Sequence, residues 1–176
     1  MSVAAERFPL SRCAIDLRDY DAPDCLIYGI GNVGRQDDGL GWAFIDWLEN
    51  NHLCTRGERL RHYQLHLEDA DLIHRKRRVL FVDATKAADV PDFQLEEVHP
   101  RMDFSFTSHA ISVPAILATA RQCFGQAPTT HLLTIRGYAW ALQLGLTPGA
   151  KRNLEAATAY LASLSFQNHS SGVRSR

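Results

Sequence analysis

Three residues far apart in the chain, Asp38, Asp83 and His109, have the types and settings from which a metal-ligating site could be assembled. Two carboxylates and an imidazole make a mixed oxygen and nitrogen donor set, suited to a divalent transition metal such as nickel or zinc. Three protein ligands leave a coordination position open for water or a substrate group. Asp83 closes Val79-Leu80-Phe81-Val82-Asp83-Ala84, the most strand-like run in the chain. An ionised carboxylate at the end of so apolar a segment is costly unless it is paired, hydrogen-bonded to nearby amides or bound to a cation. His109 follows Thr107-Ser108, between a strand candidate and a helix, and taken alone reads as a structural or surface histidine. Asp38 lies in an acidic, glycine-rich loop, Gly31 to Gly41, in which Asp37 is assigned to cap the following helix. The other histidines (His52, His62, His66, His74, His99, His131 and His169) fall on helices, at strand starts or in the tail, and none groups at ligand spacing.

The elements around these residues decide whether they can meet. Cys25-Leu26-Ile27-Tyr28-Gly29-Ile30 is a short continuous apolar run, the pattern of a strand buried on both faces. After the glycine loop, Leu40, Phe44, Trp47 and Leu48 recur at helical spacing to about Asn51. Arg59 to Leu65 alternates loosely as a second strand, and Leu67 to Arg75 reads as a helix closed by the basic cluster Arg75-Lys76-Arg77-Arg78. Phe93 to Val98 reads as an edge strand, and His131 to Arg136 as a further strand. Pro114 places the start of the helix running to Phe124 near Val113. Thr147-Pro148 signals the start of a last amphipathic helix, Lys151 to Leu164.

Strands alternate with helices, so the expected architecture is α/β: three layers, with a mostly parallel twisted sheet of about five strands, like phosphorylase and hydrolase folds. In such sheets the site lies at the carboxyl ends of the strands, where Asp38, Asp83 and His109 each fall. The chain divides into an extension, 1–24, expected to pack loosely; one domain, 25–165; and a flexible tail, 166–176.

Composition narrows the function classes. The net charge of −1 gives no electrostatic case for nucleic acid or an anionic membrane. Cys13, Cys25, Cys54 and Cys123 form no CxxC pair, which argues against structural zinc. The opening residues lack the apolar run of an export signal, and no stretch is long enough for a membrane span. Together these point to the cytoplasm.

Gly29-Ile30-Gly31-Asn32-Val33-Gly34 matches the GxGxxG pattern of dinucleotide loops. Against that reading, Arg35 to Gly39 separates the third glycine from the helix and sets Asp37 and Asp38 where a pyrophosphate would rest. No acid is placed at the end of the second strand for a ribose hydroxyl. The glycines instead allow a sharp turn that presents the two aspartates. Asn32 is expected to hydrogen-bond within the loop or to a substrate.

The order of these segments resembles the nickel–iron hydrogenase maturation proteases. Gly29-Ile30-Gly31-Asn32 with Asp37-Asp38-Gly39-Leu40-Gly41 resembles their GxGN…D[DE]GxG signature. Val82-Asp83-Ala84, Ser108-His109 and Leu144-Gly145-Leu146-Thr147-Pro148 resemble their later motifs, in matching order from about Cys25 to Leu164. The resemblance implies a metal-dependent or aspartic-type endopeptidase that removes a C-terminal peptide from a hydrogenase large-subunit precursor. It implies Asp38, Asp83 and His109 as metal ligands and catalytic groups. The metal would be nickel supplied by the substrate, with another divalent metal possible in isolation. Tyr63 to Glu68 departs from the Gly-Thr-Gly turn of many members and looks more like the subgroup serving soluble, cofactor-reducing hydrogenases. Two other readings stay open at this point: a non-catalytic nickel-binding maturation chaperone, and a nucleotide-binding protein using the Gly29–Gly34 loop. The oligomeric state is not legible from the sequence.

Overall fold

Strand β1 (Cys25–Ile30) is buried at every position, as a strand covered on both faces must be. It occupies the interior of a five-stranded sheet of order β2-β1-β3-β5-β4 in a computed structural model that describes residues 13–102 and 111–167. The partners are β2 (Glu58–His62), β3 (Arg78–Thr85), β4 (Phe93–Val98) and β5 (Thr129–Arg136). β2, β1, β3 and β5 run parallel, and β4 lies antiparallel against β5 at one edge.

Alternation along the strands divides the core in two. Ile27, Leu80, Val82, Leu133 and Ile135 face helices α1 (Leu40–Asn50) and α4 (Pro148–Gln167), which contribute Phe44, Leu48, Ala157 and Leu161. Leu26, Tyr28, Val79 and Phe81 face α2 (Asp69–His74) and α3 (Val113–Phe124), with Ile73, Ile116 and Leu117. The expected three-layer α/β/α architecture is present. Helix α3 begins where Pro114 requires, with Ser112 accepting a hydrogen bond from the Ala115 N–H and Gly125 closing it in the left-handed region. No helix among the described residues is long and apolar enough to cross a membrane.

One local expectation is corrected and another extended. Residues 13–24 do not pack loosely. Ile15, Leu17 and Tyr20 are buried against the α1/α4 face of the sheet, which those helices do not cover completely. A 3-10 turn, Leu17–Tyr20, is capped by Asp16, and the Cys13 N–H donates to the Leu95 carbonyl. At its end the Tyr20 hydroxyl meets His131 Nδ1 at 2.8 Å. The basic cluster also does more than close a helix. Arg75 pairs with Asp71, Lys76 with Glu58 and Arg77 with Asp24, while Arg78 opens β3.

Candidate active site

The chain turns back on itself directly after β1. Gly31 adopts φ +132°, and a Cβ there would lie 1.8 Å from the Asp38 carbonyl oxygen. A Cβ on Gly41 would lie 2.2 Å from the Ile30 oxygen and 2.5 Å from the Val82 oxygen. Glycine at these two places lets the loop and the first turn of α1 rest on the backbone ends of β1 and β3. A 3-10 turn, Gln36–Gly39, leads into α1. Asp38 is thereby set over the carboxyl end of the sheet, where β3 delivers Asp83.

Almost every N–H of this loop is committed within the protein. Gly31 donates to the His62 carbonyl, Asn32 to Asp38, Arg35 to Asn32, Gln36 to Gln143, and Asp37 to Ala139. The Gly34 N–H donates to Asn32 Oδ1 at 2.8 Å, which fulfils the expected role of Asn32 inside the loop. Phosphate loops work by pointing free N–H groups at the anion. Here those groups are spent and Asn32 fills the turn, so the GxGxxG match does not make a nucleotide cradle.

Asp37 and Asp38 are adjacent and have separate tasks. Asp37 is fully buried and accepts four hydrogen bonds: from the N–H groups of Tyr138, Ala139 and Thr147 at 2.7, 3.1 and 2.7 Å, and from the Thr147 hydroxyl at 2.8 Å. Burial alone would raise its pKa, but the donors outweigh it and hold the carboxyl below the ordinary range. The assignment of Asp37 as a cap for α1 is therefore corrected. The N-cap of α1 is Gly39, without a side-chain bond, and Asp37 instead secures the 138–147 loop about a hundred residues on. No local pattern announces that role; Thr147 stood out as a helix start and as part of the Leu144–Pro148 motif, not as a partner of Asp37.

Asp38 and Asp83 line one cleft of about 430 Å³. Its walls include Tyr63, Gln64 and Leu65 after β2, and Ile111 to Pro114 before and at the start of α3. Asp83 receives one hydrogen bond, from the Ala84 N–H at 2.7 Å. Burial pushes its carboxyl up to about 6, against the lowering effect of that bond, and the negative charge of Asp38 adds to the rise. Neither carboxylate forms a salt bridge to a described residue. Two converging carboxylates without a cationic side chain between them are the donor chemistry a divalent cation satisfies. The third expected ligand, His109, lies outside the described residues, and among the described residues no group of three or more potential ligands stands at metal-binding spacing.

The Tyr63–Leu65 wall has its own anchor, which sequence reading missed. Asp69, nearly buried, accepts from the Tyr28 hydroxyl at 3.0 Å and from the His66 N–H at 2.8 Å. Tyr63 stacks on Trp42 with ring centroids 5.3 Å apart.

No family model matches the chain, and no curated relative matches it. Solved structures do. The hydrogenase maturating endopeptidase HybD from E. coli is 20% identical with a TM-score of 0.58, over 84% of this chain and 93% of that one. The [NiFe] hydrogenase maturation protease HycI from Thermococcus kodakarensis is 17% identical with a TM-score of 0.62, over 80% and 91%. The hydrogenase 2 maturation peptidase from a Thaumarchaeota archaeon is 18% identical with a TM-score of 0.56, over 78% and 95%. The chain is thus similar over most of its own length, and nearly all of theirs, to maturation endopeptidases of hydrogenases, and it has their three-layer fold.

Proposed function

We propose that the chain is a hydrogenase maturation endopeptidase, acting in the cytoplasm, which removes a C-terminal peptide from the nickel-loaded large-subunit precursor of a nickel–iron hydrogenase. The observation that carries the reading is the convergence of Asp38 and Asp83, from two separate strand ends, in one cleft of this fold. Nickel enters as part of the substrate, held by Asp38, Asp83 and His109. Ile111, two residues beyond His109 in the chain, lines the same cleft, which supports including the histidine.

Gripping the precursor at its metal fixes the scissile bond relative to the carboxylates, and such positioning can contribute several kcal/mol to lowering a barrier (roughly 7–11 in the best intramolecular cases). The cation, once seated, offsets the charge repulsion between the two acids and can polarise the scissile carbonyl. One carboxylate takes a proton from the attacking water, the water oxygen bonds to the carbonyl carbon, and the proton passes to the departing amine as the C–N bond breaks. Either Asp38 or Asp83 serves as that base.

The test is incubation with a nickel-loaded precursor, read by the mass of the large subunit. Loss of the C-terminal peptide is expected with the wild-type protein and not with Asp38→Asn, Asp83→Asn or His109→Ala. Normal cleavage by His109→Ala would remove the histidine from the site. A precursor that binds stoichiometrically and keeps its tail would identify a chaperone and overturn the protease reading.

A further inference from the structure

The loop that Asp37 secures carries the most exposed apolar side chains among the described residues. Leu142 is 88% and Leu144 76% exposed. Single exposed leucines are ordinary. These two differ because their loop is firmly held. Asp37 grips Tyr138, Ala139 and Thr147 at its two ends. In the middle, the Gln36 N–H donates to the Gln143 carbonyl at 2.8 Å, and the Ala141 N–H donates to Gln36 Oε1 at 3.2 Å. Gln143 also forms an isolated bridge with Arg35. The backbone of Gln143 is pinned against the glycine loop, while residues 141–145 are all exposed, so Leu142 and Leu144 are presented to solvent from a fixed main chain.

The loop leaves the carboxyl end of β5, next to β3, which carries Asp83 near its own carboxyl end, and its inner contacts are the residues immediately before Asp38. It therefore belongs to the same rim as the cleft. The rim nearby is basic: Arg35 is exposed, and the Lys86 ammonium sits 4.7 Å from the centroid of the Trp140 ring. Neither cation has a carboxylate partner among the described residues. Apolar anchors set rigidly beside a polar rim are the pattern of a protein-docking hot spot, since a pre-ordered loop loses little freedom on binding.

We propose that residues 138–146 form a docking element for the protein substrate, with Leu142 and Leu144 seating in an apolar hollow on the precursor and Arg35 and Lys86 meeting acidic groups around it. The inference rests on the endopeptidase reading and extends it: the cleft takes the scissile segment, and the loop takes a folded surface of the same molecule.

The test compares wild type with the double variant Leu142→Ser/Leu144→Ser and with Arg35→Glu/Lys86→Glu, using the nickel-loaded large-subunit precursor from the same genome. All four side chains are exposed, so unchanged thermal midpoints are expected. The leucine variant should raise KM by at least about tenfold with little change in kcat. The charge variant should also raise KM and flatten its dependence on salt. Wild-type KM in both variants would overturn the docking role while leaving the protease reading intact. A wild-type protein that fails to cleave the precursor would remove both. Sedimentation showing a wild-type dimer that the leucine variant dissociates would assign the patch to a second copy of the chain and overturn the substrate role.

Discussion

Asp37 receives four hydrogen bonds from residues 138–147, whereas Asp83, at the same end of the sheet, receives one, from its neighbour Ala84. The Asp37 side chain is covered from solvent and its donors hold the carboxyl below the ordinary range, while burial drives that of Asp83 up to about 6. Asp83 is raised first by its desolvation and then by the charge of Asp38, with one donor against both, whereas four donors hold Asp37 down. Burial without donors leaves a charge wanting a partner, and burial with donors makes a rigid joint. One aspartate fixes the loop wall beside the site, and its counterpart stands ready for a cation or a proton. The molecule thus separates structural and chemical carboxylates by the company each keeps, although both arise from acids near the ends of apolar strands.

The largest expected effect breaks the chemical half of this contrast. Asp83→Asn keeps the shape and removes the charge, and processing of the nickel-loaded precursor should fall by roughly a thousandfold, within the range for loss of a catalytic base or ligand. Asp38→Asn should do the same. Circular dichroism should show both variants folded. A variant of either aspartate that processes precursor at the wild-type rate would show that its carboxylate is not part of the chemistry.

Asp37→Asn attacks the structural half. An amide offers one acceptor oxygen and turns its NH2 toward the remaining donors, so the four-bond joint cannot be completed. The expected loss is about 3 kcal/mol or more, from buried donors left unpaired. A fall in the urea midpoint measures it. An unchanged midpoint would mean that residues 138–147 find other acceptors, and that the contrast with Asp83 has been drawn too sharply.

In stability, Asp83→Asn should act in the opposite sense to Asp37→Asn. The folded pKa of about 6 lies above the ordinary value of 3.8, so the native state binds more protons than the unfolded chain between those values. Stability accordingly falls as pH rises through that window, and the full penalty applies above about pH 6. Asn removes it, for a gain of about 2–3 kcal/mol at most near neutral pH in protein purified without added metal. Below the window the two proteins should converge. A destabilised Asp83→Asn at neutral pH would show that the carboxylate is satisfied by groups other than Ala84.

Much of this arrangement could be read from the chain before folding, and the parts that could not have a common cause. β1 and β3 announce themselves because strands covered on both faces are continuous apolar runs, as in Cys25–Ile30 and Val79–Val82. Pro114 and Thr147-Pro148 mark two helix starts correctly, since proline tolerates only the first turn. The pairing of Asp38 with Asp83 was legible because one follows β1 and the other lies near the carboxyl end of β3, neighbours in a parallel sheet. The role of Asp37 was not, because its donors lie about a hundred residues away in a loop without periodicity. The same holds for Ile15, Leu17 and Tyr20, whose irregular spacing gives no sign of the uncovered sheet face they fill. β2 was visible only loosely, because an edge strand half-exposed along its length carries no strict alternation.

The smallest effect gives the finest resolution of the comparison, because it removes one of the four donors and leaves Asp37 in place. The Thr147 hydroxyl donates to Asp37 Oδ2 at 2.8 Å and accepts from the Ala150 N–H at 3.2 Å, capping α4. Thr147→Val deletes both contacts at nearly constant volume and should lower stability by about 1–2 kcal/mol. Thr147→Ser keeps both and should lie close to wild type. The pH dependence separates the two lost contacts. Because the folded pKa of Asp37 is depressed, its contribution is complete above the unfolded value near 3.8 and disappears as pH falls through the folded value. With one donor gone that pKa rises toward the unfolded value, so the deficit of Thr147→Val should shrink as pH falls through the carboxylate range. A loss of cap alone would leave a deficit independent of pH. Urea midpoints for both variants, taken from neutral pH downward, read the two apart, and a constant deficit would mean that the three backbone donors suffice to hold Asp37 ionised.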